Sequence, residues 1–166
     1  MLVIVLRKPI ATVLGQGVRR LKAGPVEVEF DQLQAEVRQE LARSPELAEA
    51  QVPVLGVSLR EELAGLADVS PRAAVLEAYQ RIEARLVEVL DNAGAPSSRA
   101  VGGRALARLA RQHDLISEET LGAIEGLSVL RDLTAHGRGD ISVDRAYNYL
   151  ALADAVLYVL RSKPSS

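Results

Sequence analysis

The chain has no cysteine and no tryptophan, a single phenylalanine, and only two histidines, His113 and His136. Without cysteine there is no disulfide and no thiolate metal site, which fits a reducing compartment. The expected setting is the cytoplasm, including the inner face of its membrane. Two isolated histidines make a zinc site improbable, so no metal is expected. Aromatic residues are 3 % of the chain, too few for a platform of rings that stacks RNA bases. The core must then come from Leu, Val, Ile and Ala, which suits packed helices better than a β-sandwich. Phosphate loops are missing too. Neither Gly15-x-Gly17 nor Gly102-Gly103 follows a convincing strand or leads into Lys-Ser/Thr, and no small-molecule cofactor is expected.

Charge of one sign is also lacking. A net charge of −2, with 25 % charged residues, describes a folded globular chain rather than a bulk-basic nucleic-acid binder. Long apolar runs are absent. Residues 1–6 are apolar and precede Arg7 and Lys8, but a bilayer core needs about 20 residues, and no cleavage signal follows. Two readings stand: a start that packs on the domain, or the stub of a lost anchor whose basic flank would be cytoplasmic. A membrane is expected as a partner only on the second.

What is present is helical periodicity. Residues 9–22 read as a helix stopped by Gly24-Pro25. Val26-Glu-Val-Glu-Phe30 alternates and, having no partner strand, reads as an extended linker. Asp31 and Gln34 resemble a capping box opening a helix over 32–43. Ser44-Pro45 breaks it, and a short helical turn follows. Residues 51–68 are mixed, with Pro53 and Gly56, and the boundary is placed there. Residues 1–65 form an N-terminal appendage and 66–162 a helical bundle.

From Ser70 the pattern is regular. Ser70-Pro71 caps a helix with Val75, Ala78, Ile82, Leu86 and Val89 inward. A loop over 91–98 leads to a second helix, 99–112, with Val101, Ala105 and Leu109 inward. Ser117 opens a third, carrying Leu121, Ile124, Leu127 and Leu130 and ending before Gly137. Ser142 opens a fourth over 143–161, with Ala146, Leu150, Ala153, Leu157 and Leu160 inward. None of these stripes is stable alone in water, so the fold class is all-α, a four-helix bundle with a helical and extended N-terminal appendage.

The third helix carries the one constellation with chemistry, Arg131-Asp132-Leu-Thr-Ala-His136-Gly137. Arg131 and His136 lie five residues, hence about 140°, apart on an ideal helix. One chain cannot grip one phosphate with both unless the helix unwinds before His136. Otherwise two chains contribute, and a homodimer is expected. Asp132 shares a face with His136 and is placed to orient its ring. The bland reading is a solvated arginine beside a histidine at a helix end.

The segment 129–137 (VLRDLTAHG), followed by Asp140-Ile141-Ser142 and a helix opening Val143-Asp-Arg-Ala146, resembles the C-terminal half of HEPN domains. Their signature is an Arg, a polar residue, a short spacer and a His, matched by Arg131, Asp132 and His136. The segment 66–89 (LADVSPRAAVLEAYQRIEARLVEV) looks like the opening helix of a bacterial HEPN-related family of unassigned function. The resemblance covers residues 66–161 and implies a four-helix bundle that dimerises and brings two motifs to one cleft. In active members the motif cleaves RNA without a metal. Arg131 would stabilise the phosphorane, His136 would transfer protons, and Asp132 would tune the pair. The toxin subgroup regulated by nucleotidylation carries a Tyr two residues after the His; Arg138 stands there instead. Many HEPN domains are not nucleases and serve as interaction modules, so a non-catalytic dimerisation domain, membrane-tethered if an anchor precedes it, is the alternative.

Between Asp91 and Asp114 there is no acidic residue. Arg104, Arg108 and Arg111 share one helix face, and Arg138 would extend it, giving a candidate RNA phosphate track. The competing reading is a solvated helix face. His113, at a helix end, reads as structural.

Overall fold

A computed structural model describes residues 26–48, 58–95, 97, 101–137 and 141–162. The expected helix over 9–22, the apolar start at 1–6 and Arg138 lie outside the described residues. The described elements are all α-helices: α1 (Val26–Arg43), α2 (Pro45–Ala48), α3 (Leu59–Val69), α4 (Pro71–Asn92), α5 (Gly103–Gln112), α6 (Glu118–His136) and α7 (Val143–Arg161). No strand occurs among the described residues. No helix among them is long and apolar enough to cross a membrane.

Serine caps set most of the starts. The hydroxyls of Ser70, Ser117 and Ser142 accept the amide hydrogens of Ala73, Thr120 and Arg145, and Pro71 occupies the first turn of α4. Each cap satisfies a donor that the first helical turn would otherwise leave open. Ser58 and Glu61 add a reciprocal capping box at α3, inside the stretch read from sequence as mixed. Val75, Ala78, Ile82, Leu86 and Val89 of α4 are buried, as are Ala146, Leu150, Ala153, Leu157 and Leu160 of α7. On α6, Ile124, Leu127 and Leu130 are fully covered and Leu121 partly so.

Three expectations about the helices are revised: the start of α1, its cap and the phase of α5. Val26-Glu-Val-Glu-Phe30 is not extended but the start of α1. Phe30 begins a stripe with Gln34, Val37 and Leu41, all buried, so tertiary burial at helical spacing overrides the local alternation. Asp31 and Gln34 do not open a helix. Asp31 takes both nitrogens of a fork from Arg145 at 2.8 and 3.0 Å, and Gln34 donates to the Arg145 carbonyl at 2.9 Å. The boundary drawn at 65/66 falls inside α3, and Phe30, Val37, Leu41, Leu59 and Leu63 belong to the same core cluster as α4–α7. The third revision is the phase of α5. Val101 and Ala105 are exposed and Leu109 half-buried, whereas Gly103, Leu106, Ala107 and Ala110 face inward. The small residues 103, 107 and 110 let α5 lie close to its neighbours, and the arginines one position on form the rim.

Helices α1 and α6 pack closely. A Cβ at Gly126 would lie 2.4 Å from Val37 Cγ2, and one at Gly122 would lie 3.5 Å from the Glu40 side chain. Glycine at 126 is what lets α1 settle on α6, while a Cβ at 122, one turn earlier, would make only an ordinary contact. At the other end of this pair, Glu46 of α2 caps α6 from outside. Its carboxylate accepts from the Ser117 amide at 2.9 Å, the Ser117 hydroxyl at 2.8 Å and the Ser44 hydroxyl at 2.7 Å. Burial works against its charge, but hydrogen bonds from Ser44, its own amide and Ser117 outweigh it and hold the carboxyl below the usual glutamate range.

Two predictions follow from this packing. Gly65 sits exposed within α3 with nothing near its missing Cβ. Gly65→Ala should therefore stabilise the protein by about 0.5–1 kcal/mol, the helix-propensity gain. The same change at Gly126 should lose that gain and destabilise by about 1–2 kcal/mol through overpacking against the stiff Val37. Equal stabilisation by both in urea titrations would mean that α1 does not rest on Gly126. Because the Glu46 carboxyl is lowered on folding, its contribution is fully present above the unfolded pKa. It fades as pH falls through the ordinary glutamate range toward the folded value. Glu46→Gln should cost on the order of 1 kcal/mol at pH 7. The gap to wild type should close on acidification, and a gap independent of pH would contradict the charged cap.

Candidate functional site

Helix α6 continues without a break through His136, and Gly137 follows in an extended conformation (φ −64°, ψ 141°) rather than a left-handed one. The helix does not unwind ahead of His136, so Arg131 and His136 remain on different faces of one chain. His136 is exposed. Its Nδ1 lies 3.1 Å from the Asp132 carbonyl oxygen. With Nδ1 donating, that contact selects the tautomer whose Nε2 is free to accept a proton. The group beside the ring is the Asp132 backbone carbonyl, not the carboxylate. The Asp132 carboxylate points elsewhere.

That carboxylate is shared by two arginines. Arg131 Nη1 is 2.9 Å from Asp132 Oδ1, and Arg104 Nη2 donates to Oδ2. Arg104 Nε also donates to the Ser128 hydroxyl at 2.8 Å. The Arg131 guanidinium lies over the Tyr79 ring, 5.0 Å from its centre, and its Nη2 is 3.9 Å from Glu83 Oε1. Glu83 in turn accepts the Gly103 amide hydrogen at 2.9 Å. It supplies from α4 the cap that Gly102, which has no side chain, cannot give α5. A Cβ at Gly103 would fall 2.5 Å from the Tyr79 hydroxyl and 2.9 Å from Glu83, so α5 can approach only with glycine there.

Below the charges lie two tyrosines. Tyr149 is fully buried and donates to the Leu127 carbonyl at 3.0 Å. Burial raises its pKa well above that of a free phenol, and the neighbouring Tyr79 adds to the shift. Burial likewise pushes Tyr79 up to about 12. Its buried hydroxyl makes no hydrogen bond of good geometry, although the Ser128 hydroxyl beside it, which accepts from Arg104 Nε, works against the rise.

The described arginines of the stripe, Arg104, Arg108 and Arg111, all face carboxylates. Arg108 meets Glu125 at 2.7 Å, and Arg111 meets Glu118 at 3.2 Å and Asp114 at 2.9 Å. Glu118, Glu125 and Asp132 recur every seven residues on α6, opposite Arg111, Arg108 and Arg104 of the antiparallel α5. The stripe is one side of an ionic ladder. Its arginines are all more than a third exposed, with Arg108 at 60 % although its partner Glu125 is mostly covered, so the pairs contribute little to stability and an external phosphate can compete for the arginines. His113 ends α5, and Asp114 after it takes the left-handed conformation (φ 54°) that turns the chain toward α6.

Of the residues singled out in the sequence, Arg104, Arg131 and Asp132 come together. His136 stays one turn away on α6, and Arg108 and Arg111 lead off along the ladder. Sequence reasoning missed Tyr79, Glu83, Ser128 and Gly103. Tyr79 and Glu83 stand one turn apart on α4, but nothing local says that this face meets Arg131. No group of three or more His, Asp or Glu suited to a metal occurs among the described residues. A separate groove of about 230 Å³, lined by Leu59, Arg85, Leu157 and Arg161 among others, shares none of these residues. No protein-family model, curated protein or solved structure matches the chain.

The tyrosines give a paired test. Tyr149→Phe should cost about 1 kcal/mol, the net worth of a buried hydrogen bond. Tyr79→Phe removes an unpartnered hydroxyl and should be neutral or stabilising. Equal losses in thermal denaturation would show that the Tyr79 hydroxyl is satisfied.

Proposed function

We propose that this chain is a HEPN-like domain that acts as a homodimer and cleaves RNA without a metal ion. The supporting observation is His136, an exposed imidazole whose Nδ1 is held by a carbonyl and whose Nε2 is free. That is the form a general base needs. Helices α4–α7 would be the four helices of the bundle, with α1–α3 packed on it. In this reading Nε2 takes the proton of a ribose 2′-hydroxyl, the 2′-oxygen bonds to phosphorus, and the bond to the 5′-oxygen breaks. A second imidazole of the dimer protonates the departing 5′-oxygen. The products are a 2′,3′-cyclic phosphate and a 5′-hydroxyl. Arg131 stabilises the charge on the phosphorane. Since Arg131 and His136 diverge within one chain, each phosphate would meet the arginine of one protomer and the histidine of the other. The cytoplasm, or the inner membrane face, is the setting this activity implies.

A specific observation favours a second reading. The Arg131 guanidinium is already engaged by Asp132, Glu83 and the Tyr79 ring. That suits a polar brace between α4, α5 and α6 in a non-catalytic dimerisation or interaction domain.

Cleavage decides between them. The purified protein should cut single-stranded RNA in excess EDTA, leave DNA intact, and yield cyclic phosphate ends. His136→Ala should lower the rate on the order of 10²-fold with an unchanged melting temperature, because the ring is exposed. A folded wild-type dimer that leaves varied RNAs uncut, or a His136→Ala variant of full activity, selects the interaction domain.

A further inference from the structure

Two guanidiniums from different helices converge on one carboxylate, and that carboxylate belongs to the same chain. Arg131 of α6 binds Oδ1 of Asp132 and Arg104 of α5 binds Oδ2. The Ser128 hydroxyl completes the group through Arg104 Nε. None of the three charged side chains is sealed off: Arg104 is 42 %, Asp132 36 % and Arg131 30 % exposed. Glu83, the other nearby acid, is committed to the Gly103 amide and stands 3.9 Å from Arg131. Asp132 alone therefore fills the gap between the two cations.

A phosphate diester offers a pair of oxygens much like those of a carboxylate, and arginine forks suit either. We propose that Arg104 and Arg131 form one phosphate-binding pair, and that the Asp132 carboxylate is a built-in competitor occupying the phosphate position. RNA phosphate binds by displacing it. This gives Arg104 a role beyond the ladder. Arg108 and Arg111 face acids only, whereas Arg104 shares its acid with the motif arginine. It also reverses the role expected of Asp132. Its carbonyl still serves His136, but its carboxylate restrains the site rather than assisting it. With Arg104 and Arg131 balanced by Asp132 and Glu83, the group carries no net charge. Removing the Asp132 charge leaves one excess positive charge at the place where phosphate arrives.

The inference extends the proposed function to the way its site holds RNA, and it rests on that reading only for the identity of the phosphate. Binding can be read apart from cleavage. The probe is a labelled single-stranded 2′-O-methyl RNA, which has no free 2′-hydroxyl to attack, titrated against the full chain by fluorescence anisotropy. Asp132→Asn is close in shape and equal in helix propensity, on a partly exposed position, so the fold should be retained. It should bind about tenfold more tightly than wild type, the scale of one charge removed near a half-exposed site. Adding Arg104→Gln to that variant should abolish the gain, and so should Arg131→Gln. Arg104→Gln alone should weaken wild-type binding. Glu36→Gln, an equal change of net charge on α1, should leave affinity unchanged.

Affinity unaltered in Asp132→Asn overturns the proposal. A gain that survives Arg104→Gln, or that Glu36→Gln reproduces, overturns it as well. If Asp132→Asn fails to fold, the effect of Arg104→Gln on the otherwise wild-type chain decides, and no change there rejects the pair. Tighter binding by Asp132→Asn with no cleavage of ordinary RNA by wild type would keep the phosphate pair and remove the nuclease. Cleavage with no gain in binding would do the reverse.

Discussion

The close approach of α1 to α6 at Gly126 governs how the rest of this protein is arranged. It fixes one face of α6 against a helix that meets it at Val37 and Glu40. The apolar face, with Ile124, Leu127 and Leu130, is covered by the core. The acidic face, with Glu118, Glu125 and Asp132, is then left for α5. A helix held on three sides has little room to bend, and interiors at close packing are poorly compressible. The helix then runs unbroken through Arg131 to His136. That is why the two motif residues cannot turn toward each other within one chain.

The same constraint explains why charge matters most at α5. This helix is ten residues long, has a glycine N-cap with no side-chain hydrogen bond, and buries only small residues besides Leu106. Such a segment has little stability of its own. Its N-terminus is completed by Glu83 from α4 and its outer edge by the carboxylates of α6. Each partly exposed pair contributes little. The burial of Gly103, Leu106, Ala107 and Ala110 sets which way α5 faces, and the arginines one position on are left along the edge beside α6. The group around Arg131 therefore joins α4, α5 and α6, and a change at Asp132 or Glu83 reaches both the helix packing and the site.

Local signals in the sequence were readable and long-range ones were not. Ser70, Ser117 and Ser142 mark helix starts because a cap involves only residues three apart, and α4, α6 and α7 begin after them. The apolar stripes of α4 and α7 were legible because each spans several turns. Val26-Glu-Val-Glu-Phe30 misled because five residues fit two periods, and only the partners of Phe30 and Val37 decide between them. The Ser58–Glu61 box was present in the sequence but hidden beside Pro53 and Gly56. The phase of α5 could not be read, since Val101, Ala105 and Leu109 form as good a stripe as the residues actually buried. The motif Arg131, Asp132 and His136 was visible. That Arg104 and Glu83 belong beside it depends on contacts 28 and 48 residues apart in the chain, Arg104 with Asp132 and Glu83 with Arg131.

Asp132 shows how one residue serves a helix and a site in different ways. Its carbonyl lies one turn before the end of α6, four residues ahead of His136. The His136 Nδ1 also approaches it, and that contact sets the tautomer of the ring. Its carboxylate would be unfavourable so near the negative end of the helix if it stood alone. Arg131 and Arg104 offset that cost, and this is sufficient reason for an acid to be tolerated at the position. A neutral amide there would face no such cost and would leave the two arginines without their shared counter-charge. The choice of acid over amide at this one position thus sets the charge of the group, while the helix geometry around it stays the same.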